Sequence, residues 1–289
     1  MSELNKAEKY LLENLKLLAS EGCIDENPRP VYESDGEPAN SIFVTSVYET
    51  YDLSKGEFPI TETRPIAIKS GLGEVFWIYQ DQSNDLELLK DKYGVTWWDS
   101  WDIGNRTIGQ RYGATVKEYD LMNKLLDGLK NNPFGRRHII SLWQEADFKK
   151  DGKLPPCAFQ IMLSVRKINN EFYLDLTLTQ RSNDYLVSGT GINQMQYVGL
   201  QMSIAKDCSF KIGKFNHLRQ NLHIYSRHLE QAEETVTRIN QLKKREVQSQ
   251  PKLILNVPDG TNFYDIKVED FELVDYNPIK PQLKFDLAI

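Results

Sequence analysis

The chain has 289 residues, of which 40% are hydrophobic and 26% charged, and its formal net charge is −6. These proportions are ordinary for a globular protein, and the net negative charge excludes a global attraction to nucleic acid or to an anionic membrane. The sequence contains no run of about 18 apolar residues, so it predicts no membrane-spanning helix. Three cysteines without paired spacing, and no apolar N-terminal leader, indicate a reducing compartment, the cytoplasm.

The first fifty residues predict a helix, a loop and a strand. An amphipathic helix is expected between Ser2, which can cap its start, and Gly22, which can end it. Four leucines fall on one face of that helix: Leu4, Leu11, Leu15 and Leu18. Prolines and the Asp35-Gly36 pair predict a loop over residues 26–40, and the run "SIFVTSVY" after it predicts a strand.

The middle of the chain predicts mainly helices. "IKSGLGEVFWIYQ" is apolar enough for a buried helix although it contains two glycines, and a second short helix is expected to start near Ser83. "VKEYDLMNKLLDGLKNNP" predicts one helix, ended by Asn131, Asn132 and Pro133. "RHIISLW" predicts a short strand.

A hairpin and further helices and strands follow. The runs "AFQIMLSVR" and "EFYLDLTLTQ" are joined by "KINN", and the second alternates apolar and polar residues, so we expect a hairpin with one buried face. The next segments predict an apolar helix, "INQMQYVGLQMSIAKD", a strand, "FNHLRQNLHIYS", a charged helix, "RHLEQAEETVTRINQLKKRE", and short strands. Without repeats or a change of composition, residues 1–289 predict one α/β domain built on a mixed sheet.

Two prolines stand directly before Cys157 in "KLPPCAFQ". Each proline fixes its own φ, and Pro156 also favours an extended Pro155, so the cysteine enters the next strand from a constrained backbone. Two interpretations of this segment are open. Cys157 is either a small buried hydrophobic residue after a turn or a thiol held in place for chemistry.

Polar residues at the end of the neighbouring strand help to distinguish between the two interpretations of Cys157. "QRSND" ends the strand after Cys157, so pairing of the two strands would place Arg181 beside the thiol. A guanidinium there favours the thiolate and lowers the thiol pKa from its usual value of about 8.5. The alternative is a surface arginine paired with Asp184. Glu74 lies within the apolar run "GLGEVFWIY", where a carboxylate without a function is costly.

Arg136 and Arg137 stand together in "NPFGRRHII". Side chains alternate along a strand, so adjacent arginines face opposite ways, and one can serve its own subunit while the other serves a neighbour. Planar guanidinium groups suit a phosphate. A solvated basic pair is the common alternative.

Together these segments occur in a characteristic order. "FPITETRPIAIKSGLGEVFWIYQDQSND", "GVTWWDSW", "IGQRYGATVKEYD" and "GRRHIISLW" are followed by "LPPC", "QRSND", "LHIYSRHLEQ" and the C-terminal "LAI". In this order they resemble thymidylate synthase over residues 29–289. The resemblance implies the α/β (α+β) fold of that family, with a mixed, mainly antiparallel sheet flanked by helices.

The resemblance also implies reductive methylation of dUMP to dTMP with 5,10-methylenetetrahydrofolate as co-substrate and no metal ion. Cys157 corresponds to the nucleophile that adds to C6 of the uracil ring, Glu74 to the general acid/base and Tyr112 to the tyrosine of the C5 proton-removal step. Two other functions stay open. They are a folate-dependent pyrimidine nucleotide hydroxymethylase and a non-catalytic nucleotide-binding protein on the same scaffold.

Binding residues are implied in the same way. Three positions of the same chain match the family's contacts to the dUMP phosphate, Arg29, Arg181 and Ser182, and the partner subunit's Arg136 and the partner subunit's Arg137 complete that site. His223 and Tyr225 match the ribose contacts. Asn193 matches the contact to the base. The positions that match folate contacts are Arg64, Trp98, Asp184 and the terminal carboxylate of Ile289. Arg181, Asn193 and Asp184 also count among the catalytic residues. The shared phosphate site implies a homodimer, with neither a membrane nor a nucleic acid as a required partner.

Several positions depart from the family pattern. Ala158 stands where the family usually has His, and Ala67 and Arg64 stand where it has His and Lys. The usual Leu-Gly-x-Pro-Phe-Asn becomes "LVSGTGIN", with one extra residue before Asn193. These changes cluster on the folate side, so the nucleotide contacts are expected to be better kept than the folate contacts.

Overall fold

The computed structural model describes residues 4–246 and 250–289. Its helices are α1 (Lys6–Glu21), α2 (Ile68–Tyr79), α3 (Leu86–Tyr93), α4 (Gly113–Glu118), α5 (Leu121–Asn131), α6 (Ile192–Asp207) and α7 (Leu229–Leu242). Its strands are β1 (Cys23–Ile24), β2 (Ser41–Asp52), β3 (Ile139–Ser141), β4 (Ala158–Ile168), β5 (Glu171–Gln180), β6 (Asn183–Asp184), β7 (Lys211–Tyr225), β8 (Lys252–Leu255) and β9 (Phe271–Val274). No helix in these ranges is long and apolar enough to cross a membrane.

Strands β1 to β7 form one sheet in the order β1-β2-β7-β5-β4-β3, with β6 paired to β7. Neighbouring strands run antiparallel, except that β5 and β6 lie parallel to β7. Strands β8 and β9 form a separate antiparallel pair. The sheet is therefore mixed and mainly antiparallel, which confirms the predicted fold class.

The predicted hairpin is confirmed as β4 and β5. Asn169 and Asn170 form its turn, and both have positive φ, 49° and 65°. Two consecutive left-handed residues match the right-handed twist of the strands that they join, and asparagine tolerates this conformation. Along β5, Leu174, Leu176 and Leu178 are fully buried, so the alternation does mark the covered face.

Helix α1 begins later than the sequence pattern predicted. Asn5 is its N-cap, with a side chain that accepts a hydrogen bond from the Glu8 backbone N–H, whereas Ser2 lies outside the described residues. Gly22 does follow its last turn, and its N–H bonds to the Leu18 carbonyl. The four predicted leucines are all buried. An asparagine oxygen satisfies an N-terminal donor as well as a serine would, so composition alone did not locate the cap.

Two further helix predictions need correction. The single helix expected after Val116 is broken into α4 and α5, because Asp120 takes a left-handed conformation with φ 50°. Tyr119 at this break donates its hydroxyl proton to Asp147 at 3.1 Å. A straight helix would shift Tyr119 and disrupt this tertiary contact. The short helix expected near Ser83 begins at Leu86 instead, since the Asp85 carboxylate caps it.

Helices α2 and α6 cross at close range beside the sheet. A Cβ at Gly199 would lie 2.1 Å from Leu72 Cδ2, and one at Gly71 would lie 3.2 Å from Gln196 Cγ. The missing side chains of these glycines make room for the approach, and this packing offsets the low helix propensity of glycine in α2. The crossing brings Glu74 on α2 and the first turn of α6 to the same cleft.

Candidate active site

A cleft of about 380 Å³ opens where α2, α6 and the ends of β5 and β7 meet. The following predicted site residues line it: Arg29, Glu74, Trp98, Tyr112, Cys157, Arg181, Ser182, Asp184, Asn193, His223, Tyr225 and Ile289. Segments distant in sequence therefore converge on one cavity. Arg64, Arg136 and Arg137 do not line it.

Cys157 lies just before β4, at the point where β4 and β5 pair. The Arg181 backbone N–H bonds to the Cys157 carbonyl at 2.9 Å, and Arg181 Nη2 lies 3.4 Å from the sulfur. The same guanidinium donates to the carbonyls of Pro156 at 3.0 Å and Pro155 at 2.8 Å. The two prolines thus present carbonyls that hold Arg181 against the thiol.

The predicted effect of Arg181, a lowering of the thiol pKa, is present, but the net pKa of Cys157 is raised. Burial raises the pKa of the Cys157 thiol, and the positive charges of Arg181 and Arg29 only partly oppose that rise. Arg181 is therefore beside the sulfur as predicted, but desolvation outweighs it. The Cys157 backbone N–H donates to the Tyr112 hydroxyl at 3.2 Å, so the thiol and the tyrosine keep a fixed relation.

Tyr112 has an unusual backbone. Its φ is 49° and its ψ is −108°, a conformation that a bulky residue rarely adopts. Such outliers persist where the surroundings hold them, and here Tyr112 stacks edge to face on Trp98 at 4.9 Å between ring centres. Burial raises the pKa of its hydroxyl well above the usual value, so the phenol keeps its proton.

Glu74 is buried in the cleft wall, and burial raises its pKa to about 7. The Trp97 indole N–H donates to Glu74 Oε2, and hydrogen bonding from Trp97 and Gln196 opposes the rise in pKa. A carboxyl with a pKa near neutrality suits proton transfer. Sequence reasoning missed Trp97, which is 23 positions from Glu74 in the chain, and its place next to Trp98 was the only signal in the sequence.

Two glutamines that sequence reasoning also missed hold Asn193. Gln180 Nε2 donates to Asn193 Oδ1 at 3.2 Å, and Asn193 Nδ2 donates to Gln196 Oε1 at 3.0 Å. Both glutamines are almost fully buried. Gln180 begins the "QRSND" motif and Gln196 lies one helical turn after Asn193, so spacing was the available signal for each.

His223 and Tyr225 lie at the end of β7, on the same face of the strand, with ring centres 5.0 Å apart. Burial lowers the pKa of His223 to about 4, so the ring is neutral at physiological pH. Its Nδ1 lies 2.8 Å from Asn221 Oδ1. A neutral imidazole offers one donor and one acceptor, which suits a hydroxyl group.

The altered loop before Asn193 is a single π-helical turn over Tyr185–Gly189. Burial raises the pKa of Asp184, at its start, to about 7. Arg64 lies behind the loop and donates to the carbonyls of Leu186 and Val187, both at 2.7 Å. Arg64 therefore braces the loop and does not face the cleft.

The C-terminus covers one side of the cleft. The backbones of Ile289 and Val31 exchange hydrogen bonds at 2.9 and 3.1 Å, like residues of paired strands. Arg227 adds two ion pairs to this closure, one to Asp286 at 2.7 Å and one to Asp35 at 2.8 Å. Sequence reasoning found Ile289 but missed Arg227.

Arg136 and Arg137 are both exposed, in the turn that leads into β3. Within one chain they lie at the β3 edge of the sheet and away from the cleft. In the described ranges, no three His, Cys, Asp or Glu side chains are grouped as a metal site would need.

Comparisons with known proteins support the resemblance. The family pattern described as thymidylate synthase matches residues 9–289. The chain is 57% identical to the thymidylate synthase of Streptococcus pneumoniae (strain ATCC 700669 / Spain 23F-1) over 287 residues, 99% of this chain and 100% of that protein. The thymidylate synthase of Streptococcus gordonii (strain Challis) shares 57% identity over the same length. The solved thermostable thymidylate synthase A from Bacillus subtilis superimposes with a TM-score of 0.85 at 30% identity, covering 98% of this chain and 99% of that one.

Proposed function

The chain belongs to the thymidylate synthase family and is a methyltransferase that converts dUMP to dTMP, and we propose that Cys157 opens this reaction by adding to C6 of the uracil ring. Addition of a thiolate makes C5 an enolate-like carbon, which is otherwise a poor nucleophile. The observation that carries the assignment is the contact between the sulfur and Arg181 at 3.4 Å, in the same cleft as Glu74 and Tyr112.

Arg181 and Arg29 supply the positive charge that the nucleophile needs. Burial alone keeps the Cys157 thiol protonated, and both guanidinium groups act against burial when the thiolate forms. The same two side chains, with Ser182, are the phosphate contacts that we assign. His223 and Tyr225 take the ribose, because they lie together at the end of β7, and Asn193, in the same cleft, reads the uracil ring.

Glu74 and Tyr112 serve proton transfer. Negative charge develops toward O4 of the uracil after thiolate addition, and a carboxyl with a pKa near 7 can return a proton there through water. The Tyr112 hydroxyl keeps its own proton, so it orients water for removal of the C5 proton and does not act as a phenolate.

Members of this family use 5,10-methylenetetrahydrofolate, which supplies the methylene carbon and the hydride. The cleft fits an aromatic heterocycle, because Trp97, Trp98 and Trp101 line it and give it aromatic surface for such a ring to pack against. We assign Trp98, the Asp184 carboxyl and the Ile289 carboxylate to folate binding. Arg64 would act on the folate only through the loop that it braces.

The active unit that we propose is a homodimer in the cytoplasm, with residues 1–289 of each chain forming one catalytic domain. One face of the sheet is uncovered, with Tyr48, Ile139 and Met162 exposed by 53%, 45% and 39%. Large apolar side chains on an open sheet face favour a protein contact. The partner subunit's Arg136 and Arg137 would then reach the phosphate.

The assignment of Cys157 is tested by the Cys157→Ser variant. A serine hydroxyl is far less nucleophilic at neutral pH, so turnover of dUMP with methylenetetrahydrofolate should disappear, while calorimetry should still detect dUMP binding. Cys208→Ser, which removes a thiol away from the cleft, should keep turnover. Turnover of Cys157→Ser within about tenfold of wild type would overturn the assignment.

A further inference from the structure

A chain of polar side chains runs along the cleft wall from β7 to α2. His217 Nε2 lies 2.9 Å from Gln180 Oε1, and Gln180 Nε2 donates to Asn193 Oδ1 at 3.2 Å. Asn193 Nδ2 donates to Gln196 Oε1 at 3.0 Å. At the far end burial raises the pKa of Glu74, and hydrogen bonding with Gln196 opposes that rise. Asn193 therefore lies between Gln180 and Gln196, with Asn183 Nδ2 also 3.5 Å from its Oδ1, and Gln196 is close enough to Glu74 to lower the pKa of the carboxyl.

Only one end of this chain imposes a direction on the amides. His217 is neutral, because burial holds its pKa well below the usual value, and a neutral ring nitrogen donates or accepts according to its tautomer. Glu74 has no such freedom while it is ionised, since a carboxylate only accepts. The Trp97 N–H, which can only donate, takes Glu74 Oε2 as its acceptor. Gln196 Oε1 accepts from Asn193 Nδ2, which leaves the Gln196 NH₂ group to donate to the carboxylate.

We propose that Gln196 orients the Asn193 amide and thereby makes the site select uracil over cytosine. Uracil presents an acceptor at O4 and a donor at N3, whereas cytosine presents the reverse pattern. An Asn amide matches either base, depending on which way it is flipped. A flipped Asn193 would set its oxygen against Gln196 Oε1, so that two buried acceptors would face each other. The inference rests on the proposed reading of uracil by Asn193.

Packing restricts reorientation of the Gln196 side-chain amide. Its side chain is 4% exposed, and Gly71 on α2 leaves the space that its Cγ occupies. A buried amide that loses its partner has no solvent to replace it, so reorientation is costly. Gln196 acts here through Asn193 and is a positioning residue.

The test compares two substitutions of similar size. Gln196→Met removes the acceptor, so Asn193 can flip, and the ratio of kcat/KM for dUMP to that for dCMP should fall about tenfold or more. Gln196→Glu keeps an oxygen for Asn193 Nδ2 and, when protonated, donates to Glu74 in place of the amide. It should therefore keep the wild-type ratio even where turnover is lower. Because the ratio does not depend on the amount of active protein, partial misfolding leaves it unchanged.

Gln201→Met is the matched control, since Gln201 is a buried glutamine of the same helix that bonds to the carbonyls of Leu174 and Lys214 instead. It should leave the ratio unchanged. If Gln196→Met loses turnover, the ratio of dissociation constants for dUMP and dCMP gives the same comparison. An unchanged ratio in Gln196→Met overturns the inference. Asn193→Asp, measured in parallel, distinguishes failure of the inference about Gln196 from failure of the proposed reading of the base by Asn193. If Asn193→Asp also leaves the ratio unchanged, the proposed reading of the base fails as well.

Discussion

Burial favours the uncharged form of four titratable side chains that line the cleft. It raises the pKa of Cys157, Glu74 and Asp184 and lowers that of His223, and in each case desolvation is the largest cause. Neutral groups are cheaper to bury than charged ones, so burial sets the protonation of these groups even where a guanidinium, such as Arg181 beside Cys157, opposes it. The values near 7 for Glu74 and Asp184 allow either carboxyl to gain or lose a proton at physiological pH.

A stability measurement checks the value for Glu74. Its pKa is about 7 in the fold against 4.5 in the unfolded chain, so the folded protein binds more protons between these values. The stability that this excess gives is present below pH 4.5 and lost as pH rises through 7. Glu74→Gln does not titrate. Its free energy of unfolding relative to wild type should therefore rise with pH by about 3 kcal/mol in total.

Denaturant unfolding from pH 4 to pH 8 measures this difference. Glu13→Gln makes a change of the same type at an exposed position of α1 and is the matched comparison. A flat curve for Glu74→Gln would mean that the carboxyl titrates normally in the fold.

At the scale of elements, the C-terminal segment acts as a short added strand. Leu287 and Ile289 bond to the backbones of Glu33 and Val31, and Arg227 ties the same segment to the loop through two ion pairs. The ion pairs are exposed and contribute little, so the backbone pairing and the terminal carboxylate carry the closure. A segment held this weakly can open for ligands and close after them.

Deleting Ile289 should therefore cut kcat much more than it weakens dUMP binding. Closure over both ligands follows docking of the nucleotide, so loss of the last residue acts on turnover. Ile289→Ala keeps the carboxylate and the backbone pairing, and it should retain most of kcat. Steady-state kinetics measure kcat of each variant, and calorimetric titration measures its affinity for dUMP. Equal losses of kcat and binding on deletion would assign the C-terminus a structural role only.

At the scale of the whole molecule, the single chain is incomplete for the proposed phosphate site. Arg136 and Arg137 are exposed beside β3, whereas Arg29 and Arg181 already lie in the cleft. Two copies that meet through the open sheet face would cover its exposed apolar side chains. A two-fold arrangement contributes the same residues to both sites.

Hybrid dimers test this arrangement. Arg137→Ala and Cys157→Ser are each expected to lose most activity alone, because one lacks the partner's phosphate contact and the other the nucleophile. After mixing and subunit exchange, each hybrid has one intact site, so activity should recover to about a quarter of wild type. Tyr112→Phe mixed with Cys157→Ser should not recover, since both residues serve the same site. No recovery from the Arg137 mixture, with hybrids demonstrated by mass spectrometry, would count against the shared site.

The sequence by itself determined the family, the hairpin, the buried α2 and the bounds of α6, because these depend on local periodicity and on motifs in a fixed order. It placed Arg181 beside Cys157 only on the condition that their strands pair, with a surface ion pair to Asp184 as the alternative, and the structure shows the contact. The helix ends predicted from the sequence were less accurate. Asn5 and Asp85 cap helices that other nearby residues could have capped, and the backbone reversal at Asp120 coincides with a contact to distant Asp147.

Only the tertiary structure decided the chemistry inside the cleft. The direction of the Cys157 pKa depends on how much water the packed elements exclude, and no local pattern measures that quantity. The placement of Arg64 behind the loop and the amide contacts of Asn193 arise where α2, α6 and β5 converge. Hydrogen-bond direction and desolvation are properties of several segments at once, so they follow from the fold and not from any one stretch of sequence.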